Sequence, residues 1–247
     1  MKYSILMPYY RKSILHNTLV SFLYHYKKRE DYEVIVMEDG KNISEKTEHN
    51  ALLDIINSFS SQINIKHIET YFKDCISPCR MFNLGAKNAD GDFLVLTNPE
   101  CFHLTNVLGG FDLEVNKNPN VYIIAACLHA SYNGIVDKFE DFKYEKIKWY
   151  QHSKHNNRKL HFCSMISKRL YEKIGGFDER YARGVWYDDD DFFRTICFNN
   201  IPFITKDNII VVHMKHGYAE LADTHRLRKI NKQYYRNKWR KLDSGKS

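Results

Sequence analysis

The chain has 247 residues, of which 43% are hydrophobic, 27% charged and 14% aromatic, enough for one substantial hydrophobic core and too few for several large domains. This composition excludes an intrinsically disordered chain, and no apolar run approaches the ~18 residues that read as a bilayer span. The formal charge of +7 is unevenly placed: ten Lys and Arg side chains against Glu220, Asp223 and Asp243 give residues 215–247 the whole of it.

A neutral body with a cationic end predicts an anionic partner surface, such as a membrane or a nucleic acid, or a polyanionic acceptor. The first residues, Met1-Lys2-Tyr3-Ser4-Ile5-Leu6-Met7-Pro8, have a short apolar stretch cut by Pro8 and no small-residue cleavage pattern, so a cytoplasmic protein is expected, or one held peripherally at a membrane. Cys75, Cys79, Cys101, Cys127, Cys163 and Cys197 are scattered through apolar runs and read as reduced, packed thiols.

Tyr3–Met7 reads as a strand, and Ile14, Leu15, Leu19, Phe22 and Leu23 fall at helical spacing after a polar turn. The alternation continues with strands at 33–37, 63–68 and 93–96 and helices at 44–59 and 78–88. Strands alternating with helices predict a mostly parallel sheet with helices on both faces. Val121–Leu128 is a further strand, followed by a lysine- and aromatic-rich stretch, 129–159, with little periodicity, which reads as an insertion or lid. A strand at 160–166, a short helix at 167–174 closed by Gly175-Gly176, a helix at 189–198, a strand at 209–212 and a long basic helix at 221–241 complete the chain. The expected organisation is one domain over 1–219 and a basic helical tail over 220–247.

In such a sheet ligands bind at the carboxyl ends of strands, and three loops there carry acids: Glu38-Asp39-Gly40, Asn98-Pro99-Glu100 and the run Asp188 to Asp191. Acids converging on one crevice repel one another unless a cation is present, so a divalent metal with a diphosphate is the economical explanation.

These residues resemble the motifs of family 2 glycosyltransferases of the GT-A fold, over roughly residues 3 to 216. Ser4-Ile5-Leu6-Met7-Pro8-Tyr9-Tyr10 is similar to that family's first strand and turn, and Glu38-Asp39-Gly40 to its nucleotide-binding acids. Arg80-Met81-Phe82-Asn83-Leu84-Gly85 with Ala89-Asp90-Gly91-Asp92 resembles its Arg-x-x-Asn-x-Gly and Ala-x-Gly-Asp. Gly175-Gly176-Phe177-Asp178-Glu179 and Trp186-Tyr187-Asp188-Asp189-Asp190-Asp191-Phe192 with Arg194 resemble its C-terminal block. Where the family carries Asp-x-Asp, this chain has Asn98-Pro99-Glu100, so one of the two metal acids is replaced by an amide.

The resemblance implies a single Rossmann-like α/β domain that moves a sugar, with inversion, from a nucleotide-sugar donor, by family habit a UDP-sugar, to a hydroxyl of a glycan or other acceptor. Pro8, Tyr10, Asp39, Arg80, Asn83, Asn98 and Glu100 are implied for the donor. Glu100 and His213, with His216 as competitor, are implied for Mn2+ or Mg2+. Asp189 is implied as base, Asp188 beside it on the acceptor, and Trp186 as an acceptor platform. Arg194 is expected to pair with an acid of its own helix. The competing readings are a transferase that decorates hydroxylated DNA bases and a non-catalytic nucleotide-sugar or glycan-binding module.

Overall fold

The computed structural model describes residues 1–9, 14–39, 46–70, 72, 76–216 and 223–244, with Asp39 and Lys46 described by backbone alone. The first apolar run forms β1 (Tyr3–Tyr9), buried along its whole length. A strand covered on both faces has no alternation to show, which is why it reads as a continuous apolar run. Its side chains still divide by parity: Tyr3, Ile5, Met7 and Tyr9 join one core layer and Leu6 the other.

β1 lies between β2 (Tyr32–Asp39) and β4 (Phe93–Thr97), parallel to both, and β3 (Ile65–Thr70) extends the parallel half beyond β2. Beyond β4 the direction changes. β8 (Cys163–Ser167) pairs antiparallel with β4 and with β6 (Tyr122–Tyr132), and β9 (Phe203–Met214) runs parallel to β6. A short β5 (Cys101–His103) closes that edge antiparallel to β9, while β7 (Tyr144–Gln151) pairs with the outer part of β6. The nine strands form one sheet.

One face of the sheet is covered by α1 (Leu15–Tyr26), α2 (Lys46–Phe59) and α4 (Val107–Val115), through Leu19, Phe22, Leu52, Ile56 and Phe111. The other carries α3 (Cys79–Lys87), α5 (Lys168–Lys173) and α6 (Asp188–Phe198), through Met81, Phe82, Leu170, Phe192 and Ile196. Each such side chain contributes about 1.5–3 kcal/mol on burial, so both layers bind the sheet. Cys79, Cys101, Cys127 and Cys163 are buried free thiols and Cys197 is an exposed one; Cys75 lies outside the described residues.

The stretch read as an insertion is ordered pairing: β6 runs on to Tyr132 and turns back as β7. Most of β7 is exposed and lysine-bearing, the composition of a protected edge strand, and such a strand lacks the half-buried alternation that periodicity detects. The basic helix is α7 (Thr224–Ser244), and it is seated on the body: Leu227, Asn231 and Trp239 are buried, whereas Ile230 faces solvent. No helix among the described residues is long and apolar enough to cross a membrane.

Candidate active site

The turn after β4 and the end of β9 meet because β5 pairs with β9, placing Cys101 opposite His213. The Met214 amide donates to the Glu100 carbonyl at 2.9 Å, and the Thr18 hydroxyl to the Pro99 carbonyl at 2.5 Å, which fixes the turn from both sides. His213 Nε2 and His216 Nε2 then lie 3.4 and 3.7 Å from the same oxygen, Glu100 Oε1. His216 therefore joins His213 at the carboxylate, where sequence had set the two in competition. The Asn98 amide donates to that oxygen at 3.1 Å, so it positions the carboxylate. Burial would raise the Glu100 carboxyl, but the two imidazoles outweigh it and hold the group well below the usual carboxylate range.

One carboxylate and two imidazoles with ligand atoms within 4.8 Å of one another make a donor set that fits a divalent cation. His213 Nδ1 is also buried without a hydrogen-bond partner. The set supplies two nitrogens for one oxygen, which suits Mn2+ better than Mg2+, a cation that favours oxygen and keeps its waters. His103 takes no part: it is buried in β5 against the Tyr26 hydroxyl, 2.6 Å away.

The second set of acids opens α6. Trp186 and Tyr187 both have left-handed backbone (φ 63° and 68°), a conformation costly for bulky side chains, and the sharp turn they make delivers Asp188 and Asp189 into a cleft. Asn231 of α7, fully buried, steadies this turn by donating to the Tyr181 and Trp186 carbonyls at 3.1 and 2.9 Å. Gly184 is needed beneath it, since a Cβ there would stand 2.3 Å from the Asn231 side-chain oxygen.

Burial, followed by the charge of Asp189, pushes the Asp188 carboxyl up to about 7, and burial pushes Asp189 up to about 6. Neutral His161, lowered by burial, stands beside them, with ligand atoms of the three residues within 4.8 Å. Two acids poised near neutrality in a cleft are suited to proton transfer.

Asp191 faces away from the cleft and anchors α7. Its carboxylate accepts from Tyr181 at 3.0 Å, Trp239 at 2.8 Å and Lys238 at 2.6 Å. Arg194 pairs with Asp243 of α7 at 2.6 Å and lies over the Trp239 ring. That corrects the expected pairing inside α6: successive acids at the helix start point elsewhere, and the facing helix supplies the partner.

Glu100, His213, His216, Asp188 and Asp189 line one cleft of about 850 Å³, together with Asn98, Trp186, Tyr150 and His161. Trp186 is 55% exposed at its rim. The other donor expectations divide. Pro8 is buried within β1 opposite Met37. Asp39 ends β2 opposite Thr70, while its side chain and the whole of Tyr10 lie outside the described residues. Glu38, the first acid of that motif, is fully buried with His49 and His67 each 2.9 Å from Oε2.

Asn83 and Arg80, implied for the donor by the resemblance, do not line the cleft. The Asn83 amide donates to the Phe177 carbonyl and Glu179, and its oxygen accepts from Tyr171 and the Phe177 amide, so it is fully spent on the Gly176-Phe177 turn. Arg80 lies over the Phe72 ring and 3.7 Å from Glu179.

His161, Lys148, Arg158 and Arg228 line the cleft without having been singled out for it from sequence. His161 precedes β8, and because β8 runs antiparallel to β4, with Cys163 opposite Thr97, its beginning lies at the end of the sheet where β4 finishes. His161 thus belongs to a segment that enters a strand, and the rule that points to loops leaving strands does not reach it.

No family model and no curated protein sequence matches the chain. Solved structures do. TarS 1–349 of S. aureus in complex with UDP-GlcNAc superposes with a TM-score of 0.68 over 94% of this chain and 65% of its own, at 13% identity. The mannosyltransferase PcManGT of Pyrobaculum calidifontis, in complex with GDP-Man and Mn2+, gives 0.60 over 85% and 56%, at 13% identity. GalNAc-T7 with UDP, GalNAc and Mn2+ gives 0.62 over 95% and 49%, at 12% identity. The chain thus spans two thirds or less of the length of each. At such identities the likeness is one of fold, and the fold is GT-A.

Proposed function

We propose that the chain is a metal-dependent inverting glycosyltransferase, with a nucleotide-sugar donor, a UDP-sugar by family resemblance, and a hydroxyl-bearing glycan as acceptor. The observation that carries this reading is the meeting of a Glu-His-His set and a pair of high-pKa aspartates in one cleft. The nucleotide-sugar and Mn2+ complexes of the structural neighbours support it.

In this mechanism Glu100, His213 and His216 would hold Mn2+. When bound, the cation supplies the positive charge that a departing diphosphate requires. Asn98 keeps the Glu100 carboxylate turned into the cleft. Asp189 accepts the proton of the acceptor hydroxyl as its oxygen bonds to the anomeric carbon. The carbon–oxygen bond to phosphate breaks, and its electron pair leaves with the nucleoside diphosphate. Asp188 hydrogen-bonds the acceptor, and Trp186 offers an exposed flat face to a sugar ring. Tyr10 and Asp39 are left for the nucleotide, on the resemblance.

The test is a thermal-shift panel of UDP-, GDP-, CMP- and dTDP-sugars with and without Mn2+, since a ligand that binds the native state alone raises the midpoint. A Mn2+-dependent rise with one nucleotide class is expected. No rise with any donor overturns the proposal.

A further inference from the structure

The cleft that holds the acids also carries cations. Arg158 and Arg228 both line it and both are exposed, and among the described residues neither makes an ion pair. Other arginines do: Arg29 is paired with Asp31 and Asp112, Arg180 with Asp178 and Arg194 with Asp243. Arg228 lies with its guanidinium 4.8 Å from the centre of the Trp186 ring, two residues before Asp188. Arg158 is near enough to Asp189 to draw its carboxyl downward. Both arginines therefore line the cleft that holds the base. Lys148 belongs to another part of the cleft, over Tyr150, whose ring abuts His213.

The two arginines come from unrelated parts of the chain, the loop before β8 and the start of α7, yet they border one opening. A planar guanidinium recognises phosphate through paired N–H donors, and stacking on an aromatic ring fixes its plane. We propose that the acceptor is a phosphate-bearing glycan, whose phosphate is held by Arg158 and Arg228 while a nearby hydroxyl is presented to Asp189. This inference rests on the transferase reading above and names the acceptor class for that site. Two cations at one mouth are the footprint of one or two phosphates. A nucleic acid would engage cations along a track of successive phosphates, and the remaining cations of α7 do not line the cleft.

The experiment uses the full chain saturated with UDP and Mn2+ and measures calorimetric affinity for three probes: a short glycerol-phosphate oligomer, neutral maltotriose and single-stranded oligothymidine. Wild type is compared with Arg158→Gln, Arg228→Gln and Arg158→Lys, and UDP affinity is measured in every protein. Preference for the phosphate oligomer over maltotriose by about tenfold or more is expected, as is a loss of about tenfold in each Gln variant. Lys at position 158 recovers only part, because it keeps the charge and lacks the fork. Equal affinity for maltotriose overturns the inference. So does a loss of UDP affinity that parallels the loss of the oligomer, which assigns the arginines to the donor diphosphate. Tighter binding of oligothymidine, lost in the same variants, replaces the glycan by nucleic acid. Failure of wild type to bind UDP with Mn2+ overturns the donor reading and this inference with it.

Discussion

Replacing Lys238 by Met tests how α7 is held to the body and, through it, how the acids of the cleft are aimed. The Lys238 ammonium bridges Asp191 at 2.6 Å and Asp178 at 2.9 Å. Asp178 keeps Arg180 and Tyr234 after the change, but Asp191, 2% exposed, keeps only the neutral donors Tyr181 and Trp239. Breaking a buried pair by removing one partner costs about 3–5 kcal/mol. The Met side chain replaces much of the Lys stem, and the two hydrogen bonds remain, so we expect a loss of about 2–4 kcal/mol at pH 7.5. The Asp191 carboxyl already sits above the usual range because burial outweighs the pull of Lys238. Without the ammonium it rises further. A carboxyl raised in the folded state takes up its proton before the unfolded chain does, so falling pH favours the folded variant. Urea unfolding at pH 7.5 and pH 5 should therefore show a deficit against wild type that shrinks at the lower pH. A loss below about 1 kcal/mol, or one of equal size at both values, refutes the argument that Asp191 is a buried charge sustained by Lys238.

Asp189→Asn keeps the shape of the base and removes its proton affinity; transfer measured by UDP release should vanish while UDP affinity stays within a few-fold, and residual turnover near wild type removes this base from the mechanism. In wild type, kcat/KM should fall as pH drops through the window from 7 to 6 in which Asp188 and Asp189 protonate, while the contribution of the same two groups to stability rises, because their folded pKa values exceed the unfolded ones; a profile flat from pH 8 to pH 5 contradicts both. Glu100→Ala and His216→Ala should each weaken Mn2+-dependent UDP binding by about tenfold or more, and calorimetry with and without Mn2+ decides whether His216 belongs to the set or only stands near it. Asn231→Ala should cost about 1–3 kcal/mol, since it leaves the Tyr181 and Trp186 carbonyls short of a donor, and should lower kcat more than it changes UDP affinity; equal effects on both point to general loosening of the fold.

The parallel half of the sheet was legible because β1, β2 and β4 are covered on both faces, and Ile5-Leu6-Met7, Val34-Ile35-Val36-Met37 and Leu94-Val95-Leu96 stand out as apolar runs between polar turns. β5 was not, since three residues carry no period. α4 hid behind Gly109-Gly110, which lower helix propensity, although Asn106 is a readable cap whose side chain accepts from the Gly109 amide at 2.9 Å. Glu100, His213, Asp188 and Asp189 were legible as candidates because acids and histidines at the edges of apolar runs stand out, and the fold brings the four to one cleft. Asn83 and Arg80 were read toward the donor because a motif fixes residue types without showing which side chains are spent on a turn, and neither lines the cleft. The cations at the cleft could not be found at all from sequence, for Arg158 and Arg228 meet only through the fold.

The position of the cleft follows from the reversal of strand direction beside β4. In a uniformly parallel sheet only chain segments leaving the strands reach the ligand end. With β8 inserted antiparallel, a segment entering a strand reaches it too, so His161 stands on the same side as Glu100. The β5–β9 pairing then carries His213 to the same place from the far edge of the sheet. What remains is to hold two neighbouring carboxylates in a partly enclosed site, an arrangement that mutual repulsion and burial both oppose. The chain meets that cost with α7. Its Asn231 fixes the left-handed turn, while Trp239 and Lys238 hold Asp191 one helical turn behind the site. The cationic segment is thus not one patch: Lys238 is inside, Arg228 is at the cleft, and Lys229, Arg236, Arg240 and Lys241 are exposed. Among the described residues of α7 this last group is exposed and makes no ion pair, so charge changes at those four positions separate attachment to an anionic surface from catalysis, whereas removing the helix would disturb both.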